Sequence, residues 1–312
     1  AKNTSFGTDH SFSEISSYSD WKKHVPIKDY EGLSCYINKI VSGEKNVLWP
    51  GKPLYFCKTS GTTSGAKYIP ISKDSMKNHI VSARDAILTY IHETKNTSIV
   101  NGKMIFIQGS PRLSKTGGVL TGRLSGIVAY HTPWYLKKNQ MPCFKTNCIE
   151  DWEEKITAIS EETVNADLRL ISGIPPWVQM YFEKLKEITG KKIRDIFPNF
   201  QLFIYGGVNF LPYKKTFDNL IGTQNVDGLE LYPASEGFIA YQDSQEEDGL
   251  LLCVNHGIFF EFISVDSFFN KNPERISLED VRLGVNYVII LNTNAGLFGY
   301  NIGDTVKFVS IN

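Results

Sequence analysis

Four short stretches hold residue types that could handle a nucleotide. The first, TSGTTSGAK (59–67), follows the apolar run PLYFC and precedes a helical pattern; it combines two glycines, five hydroxyl side chains and one lysine. Glycines let the main chain approach a phosphate, exposed N–H groups and hydroxyls donate to its oxygens, and Lys67 adds a charge. The Walker A order G-x-x-x-x-G-K-[ST] is absent, and taken alone the stretch reads equally as a solvated turn. Three later stretches each follow an apolar run: YGG (205–207), LYPASEG (231–237) and GYNIGD (299–304). A glycine pair lets backbone lie against a flat ring. A carboxylate at a strand end, such as Glu236, can hold a magnesium ion. Asp304 can accept both hydroxyls of a ribose. Singly, Glu236 and Asp304 are ordinary turn residues; the four stretches in one order are much rarer by chance.

The elements that must position these residues alternate. Residues 54–57 read as a strand, and Ser72 is an N-cap for a helix whose Met76, Ile80, Ala83, Ile87 and Ile91 recur at spacings of three and four as a buried stripe. KMIFIQ (103–108) is a strand, and PRLSKTGGVLTGRLSG reads as loop followed by a short helix. DWEEKITAISEET is a helix with acidic residues in its first turn. LRLIS is a strand, and PPWVQMYFEKLKEITG is a helix with Pro near its start and Gly190 past its end. FQLFIYGG and LELYPASEG are strands ending in polar turns, while VPIKDYEGL and LWPGKPL read as loops. Up to about residue 235 this is an α/β pattern of layered sheets flanked by helices. Beyond it GLLLCVNHGIFFEFI, NYVIILNT, GLFGY and TVKFVS are strand-like with short connections, which predicts an antiparallel or distorted β-barrel region within one composite domain.

Bulk composition narrows the function classes. Lys plus Arg and Asp plus Glu are both 33, and the resulting zero net charge argues against a dedicated nucleic-acid binder. No apolar stretch approaches the ~20 residues that span a bilayer, so no membrane partner is expected. The chain opens AKNTSFGTDH, without an initiator Met or a signal-peptide pattern. Five cysteines without a CxxC pair point to reduced thiols and a cytoplasmic setting, and the scattered histidines argue against structural zinc.

The ordered set, with VPIKDYEGL, GEKNVLWPG, TSGTTSGAKYIP, GRLSGI, ISGIPPWVQMYFE, YGGVNFLPY, LYPASEGF and AGLFGYNIGD, resembles the GH3 family of acyl-acid amido synthetases, most of all its bacterial members, within the adenylate-forming superfamily. The resemblance implies ATP and Mg²⁺ as cofactors. It implies a phosphate loop of Thr59, Ser60, Gly61, Thr62, Thr63, Ser64 and Gly65 with Lys67. It implies that Gly206, Gly207 and Val208 line the adenine and that Tyr232 stacks near it. It implies that Ser235 and Glu236 face the α-phosphate and magnesium, that Asp304 binds the ribose, and that Lys67 and Glu236 serve catalysis. Plant members typically carry Arg where this chain has Gly299 and Asn301, so no role of those arginines transfers. By the same resemblance, residues 1–312 are expected to correspond to the family's large N-terminal adenylation domain, with the smaller C-terminal domain absent and a short N-terminal region.

The implied reaction joins a small carboxylic acid to ATP as an acyl-adenylate and then passes the acyl group to an amino acid. The acid is expected in an apolar cleft beside the loop, with GRLSGI (122–127), HTPWYL (131–136) and PPWVQMYF (175–182) as walls and Arg123, Trp134 and Trp177 as contacts. Each of these residues reads at least as well as ordinary core, and His131 reads as surface or core rather than base. A cation at Arg123 could pair bidentately with a carboxylate. Two alternatives stay open: transfer to a thiol, as in acyl-CoA ligases, and a nucleotide-binding fragment without turnover.

Overall fold

A computed structural model describes residues 1–60, 65–222 and 225–311. Its strands are β1 (Tyr55–Ser60), β2 (Ala66–Ile71), β3 (Lys103–Ile107), β4 (Ser114–Thr116), β5 (Val119–Gly122), β6 (Gln140–Met141), β7 (Leu168–Gly173), β8 (Leu202–Gly206), β9 (Asp227–Pro233), β10 (Phe238–Tyr241), β11 (Leu251–Leu252), β12 (Ile258–Ser264), β13 (Asn286–Thr293) and β14 (Tyr300–Lys307). Its helices are α1 (Ser5–Asp9), α2 (Tyr18–His24), α3 (Tyr30–Val41), α4 (Lys73–Thr94), α5 (Leu124–Tyr130), α6 (Trp134–Lys137), α7 (Phe144–Asn147), α8 (Trp152–Thr163), α9 (Pro175–Thr189), α10 (Ile193–Ile196) and α11 (Leu211–Ile221). They form a four-stranded sheet (β2-β1-β5-β4), a seven-stranded sheet (β11-β10-β9-β8-β7-β3-β6) and a three-stranded sheet (β12-β13-β14).

The seven-stranded sheet is parallel from β6 to β9, with β10 and β11 antiparallel at one edge. One face packs on α8, α9 and α11 through Ile159, Val178, Phe182 and Phe217. The other packs on α4 through Ala86 and Tyr90. This is the α/β layering expected. The α4 cap is a reciprocal box: Ser72 Oγ accepts from the Ser75 amide and Ser75 Oγ from the Ser72 amide, both at 2.9 Å. Its most buried face is Ser75, Met76, His79, Ser82, Ala86 and Tyr90, with Ile80, Ala83, Ile87 and Ile91 on its shoulder. The apolar stripe is therefore offset, because small polar residues with hydrogen-bond partners also fit against the sheet; Ser75 bonds locally in the cap, and Ser82 Oγ lies 2.7 Å from His256 Nδ1 in a distant segment.

Three expectations change. PRLSKTGGVLTGRLSG is a hairpin before α5: Thr116 pairs with Val119, and Gly117 and Gly118 have φ of +56° and +79°. Two residues with positive φ are what a two-residue turn matched to strand twist requires, so the glycines make the turn and not a long loop. VPIKDYEGL is partly helix, since Asp29 caps α3 by accepting from the Gly32 amide at 2.9 Å. TSGTTSGAK joins two antiparallel strands rather than a strand and a helix; Thr59 pairs with Lys67 and Ser60 with Ala66.

The barrel-like region is, among the described residues, an open three-stranded antiparallel sheet with no closed barrel. GLFGY and TVKFVS do not form two strands: β14 runs from Tyr300 to Lys307 with a bulge, where Ile290 pairs with Asn301 and Val288 with Thr305. Gly303 at φ +94° makes the extra residues possible, and Asp304 lies in this bulge inside the strand, not after one.

The sheet is tied to the N-terminal segment by a buried carboxylate. Glu261 on β12 is 0% exposed and receives Arg275 Nε at 3.0 Å, Asn292 Nδ2 at 2.8 Å and Trp21 Nε1 at 3.3 Å. Arg275 also donates to the Val25 carbonyl. Glu261→Leu strands Arg275 as a buried unpaired charge and is expected to lower stability by about 3–5 kcal/mol. Adding Arg275→Met should recover most of that loss. Urea unfolding of the two variants checks this; a single variant that loses under about 1 kcal/mol removes the network's structural role.

Candidate active site

Residues from all three sheets meet at the tip of the β9–β10 hairpin. Ala234 and Gly237 close this tip with two backbone bonds of 3.0 and 3.2 Å, leaving Ser235 and Glu236 at its end. From the four-stranded sheet, Cys57 Sγ donates to Ser235 Oγ at 3.0 Å. From the three-stranded sheet, Tyr300 OH donates to Glu236 Oε1 at 3.2 Å, and Tyr232 OH donates to the Asp304 carboxylate. Lys67 lies 5.4 Å from the centre of the Tyr30 ring, and its charge reaches Glu236.

Glu236, at the hairpin tip, is partly exposed to solvent. Burial raises its pKa above the ordinary glutamate value, and the nearby Asp304 pushes the same way; the Tyr300 bond and Lys67 oppose them only in part. Burial likewise pushes Tyr300 and Tyr232 upward, and the Cys57 thiol up to about 11. Among the described residues Glu236 forms no salt bridge, and no group of three or more His, Cys, Asp or Glu is poised around a metal. A carboxylate with no ion pair within contact distance among the described residues suits a magnesium ion, which typically takes one or two carboxylates, substrate phosphates and water.

Two clefts flank the tip. One, of about 860 Å³, is lined by Tyr205, Gly207, Val208, Glu230 and Tyr232 among others. The other, of about 830 Å³, is lined by Thr59, Gly65, Ser110, Arg112, Arg123 and Ser235 among others. Gly206 lies between strands: a Cβ there would stand 2.1 Å from the Leu231 carbonyl oxygen, so only glycine lets β8 run into this corner.

The structure thus gathers Lys67, Tyr232, Ser235, Glu236 and Asp304 around one tip, with Gly207 and Val208 in the first cleft and Thr59, Gly65 and Arg123 in the second. Ser60 ends β1 as partner of Ala66. Gly61, Thr62, Thr63 and Ser64 lie outside the described residues. Trp134 and Trp177 are not brought to the clefts. Trp134 begins α6 and is 81% exposed. Trp177 packs on Trp152 with ring centres 4.5 Å apart, where α9 meets α8. Neighbouring Val178, Tyr181 and Phe182 are 0% exposed, so PPWVQMYF serves the core. His131 Nε2 lies 3.1 Å from Tyr55 OH, a packing role.

Sequence reasoning missed Glu230, Tyr300 and Arg112. The strand period of two puts Glu230 on the same face of β9 as Tyr232. Burial raises the Glu230 pKa. Tyr300 opens β14 within the GYNIGD stretch but carried no separate signal.

A carboxyl whose folded pKa is raised contributes stability fully present below its unfolded value and lost as pH rises through the folded value. Ionised Glu236 therefore costs stability near pH 7. Glu236→Gln is expected to unfold at higher urea than the parent near pH 7, with the gain shrinking as pH falls toward the ordinary glutamate value of 4.5. Equal midpoints at every pH would mean that the carboxylate is well solvated.

No helix among the described residues is long and apolar enough to cross a membrane. The sequence matches the GH3 family N-terminal domain over residues 1–150 and the GH3 family central domain over residues 251–312. It is 24% identical over 354 aligned positions to a jasmonoyl–L-amino acid synthetase of Nicotiana attenuata, covering 92% of this chain and 60% of that protein. It is 27% identical to an indole-3-acetic acid-amido synthetase of Arabidopsis thaliana, with the same two coverages of 92% and 60%. The chain thus spans about 60% of the length of these curated relatives. Among solved structures, a GH3 acyl acid amido synthetase in complex with 2,4-DB superimposes with a TM-score of 0.76 at 14% identity, over 99% of this chain and 63% of that one. A 2-hydroxyisobutyryl-CoA ligase superimposes with a TM-score of 0.59 at 10% identity, over 96% and 63%. With the GH3 N-terminal and central domains both matched in chain order, and with the fold of a solved GH3 acyl acid amido synthetase, the chain belongs to the GH3 family.

Proposed function

We propose that this chain is the ATP-dependent, cytoplasmic adenylating part of an acyl-acid amido synthetase. In the first half-reaction a carboxylate oxygen of a small organic acid attacks the α-phosphorus of ATP. The bond from that phosphorus to the bridging oxygen breaks, and pyrophosphate leaves with its electron pair. In the second, an amino-acid amine attacks the acyl carbon; AMP leaves, the amine loses a proton and an amide remains. The observation that carries this reading is the convergence of Lys67, Glu236 and Asp304 on one hairpin tip between two clefts.

Each residue has a task. The glycine-edged cleft beside Val208 and Tyr232 takes the adenine, and Asp304 exchanges its Tyr232 partner for the ribose hydroxyls. Lys67 and Thr59, with the loop between them, bind phosphate oxygens. Ser235 faces the α-phosphate. Arg123, in the second cleft, orients the incoming carboxylate. When bound at Glu236, Mg²⁺ supplies positive charge against the phosphates. Catalysis of this kind is positioning and charge neutralisation rather than proton transfer. All five cysteines are free, which suits a reducing compartment.

Exchange of labelled pyrophosphate into ATP tests the first half-reaction. Jasmonate, indole-3-acetate and 2,4-DB, the acids named for the relatives, form the first panel. Acid-dependent exchange is the expected result; none with any carboxylic acid, beside measurable ATP binding, would leave a nucleotide-binding protein. Lys67→Ala should weaken MgATP by about 1.5–3 kcal/mol, roughly tenfold to a hundredfold, and adenosine hardly at all. Equal, small effects on both ligands in calorimetric titration would return the loop to a solvated turn.

A further inference from the structure

Lys155 stands where a lysine is least expected. It lies in the first turn of α8, at the helix end whose dipole favours acidic side chains, beside Glu153 and Glu154. It is 2% exposed. Among the described residues no carboxylate pairs with it. Its ammonium instead donates to two main-chain carbonyls, Gln108 O at 2.8 Å and Asn147 O at 2.6 Å. Burial draws its pKa down to about 8, and the Arg123 charge adds to that fall.

The two carbonyls belong to the roots of the second cleft. Gln108 leaves β3 and leads into Ser110, Arg112 and Leu113, which line that cleft. Asn147 ends α7 and leads into Glu150, which lines it from another side. Gly109, next to Gln108, lies against the Arg123 stem, since a Cβ there would stand 2.7 Å from Arg123 Cδ. One buried cation therefore holds two segments that have no shared strand, and the Arg123 stem rests on one of them.

We propose that Lys155 is a positioning residue for the acyl-acid cleft: by clamping the Gln108 and Asn147 carbonyls it fixes the walls that carry Arg112 and Glu150 and the seat of Arg123, and so sets affinity for the acid while leaving the nucleotide cleft alone. The kinetic part of this inference rests on the adenylation reading; the clamp itself does not.

The test uses the full chain with Lys155→Met, which keeps the stem and removes the donors, and Lys155→Arg, which keeps a cation. Amide hydrogen exchange is followed by mass spectrometry in peptides covering 108–113 and 147–150. With the panel acid that supports pyrophosphate exchange, Lys155→Met is expected to raise KM for the acid about tenfold or more and to leave KM for ATP within about twofold. Lys155→Arg should raise it less. The two peptides should exchange faster in Lys155→Met while those from β8 and α4 keep their rates. Parallel rises in both KM values, exchange that accelerates across the whole chain, or unchanged peptides would overturn the proposal. If Lys155→Met does not fold, Lys155→Arg decides: a rise in KM for the acid alone supports the clamp, and no change or a shared change overturns it. If no acid supports pyrophosphate exchange, the adenylation reading fails, and the peptide rates alone decide whether Lys155 is a clamp.

Discussion

Glu261 is the constraint on which the rest of the site depends. A carboxylate with no exposure needs donors from protein, and these come from three parts of the chain: Trp21 on α2, Asn292 on β13 and Arg275 in the connection between β12 and β13. Asn292 is shared, since its Oδ1 accepts from the Gly299 amide at 2.7 Å. Lys28 then pairs with Tyr300 as an isolated bridge. The next contact outward is the Tyr300 bond to Glu236. A buried charge that must be satisfied thus orients Asn292, which orients the Gly299–Tyr300 turn, which holds the carboxylate at the hairpin tip. Such networks are fully satisfied or costly, and this one leaves little freedom for β14.

Two irregularities in otherwise regular sheets aim the polar groups. The β9–β10 turn presents Ser235 and Glu236 as a pair. The β14 bulge at Gly303 turns Asp304 toward Tyr232 instead of continuing the strand alternation. One is a hairpin tip and the other lies on an edge strand, where a break in pairing does not interrupt a core. Glu236 then bears the cost of its enclosure, since burial raises its pKa above the ordinary glutamate value. That is the usual signature of a side chain retained for a ligand and not for stability.

The two clefts share no lining residue: Tyr232, just before the tip, lines the first, and Ser235, at the tip, lines the second. Strands β8 and β9 wall the first, while β1, β5 and the segments after β3 and α7 wall the second. Under the adenylation reading the first cleft holds the base, while the second holds the phosphate loop and the acid side by side, so the reactants meet beside Ser235. Rigid strand ends make such a site largely pre-formed, which lowers the entropy lost on binding both reactants.

Local signals in the sequence were enough for much of this. The Ser72 cap, the α9 helix between its prolines and Gly190, the strands β7 to β9 and the order of the four motifs are all written in neighbours within a few residues, where period, caps and turn chemistry act. Lys67, Glu236 and Asp304 are singled out by those motifs and the family resemblance they carry, and the structure places all three near the β9–β10 tip. The departures at the site's margins involve partners far along the chain. Glycines 117 and 118 make a hairpin because β5 has β1 to lie beside. Trp134 faces solvent and Trp177 a second tryptophan because of where α6 and α9 dock. Lys155 is buried because two carbonyls, one of them 47 residues away, converge on it. Glu261 depends on a tryptophan 240 residues distant. Composition and spacing determine which residue types are present and which segments pair with water or core. Only the tertiary structure decides which charges are enclosed together, because enclosure is a property of everything packed around a group and not of its neighbours in sequence.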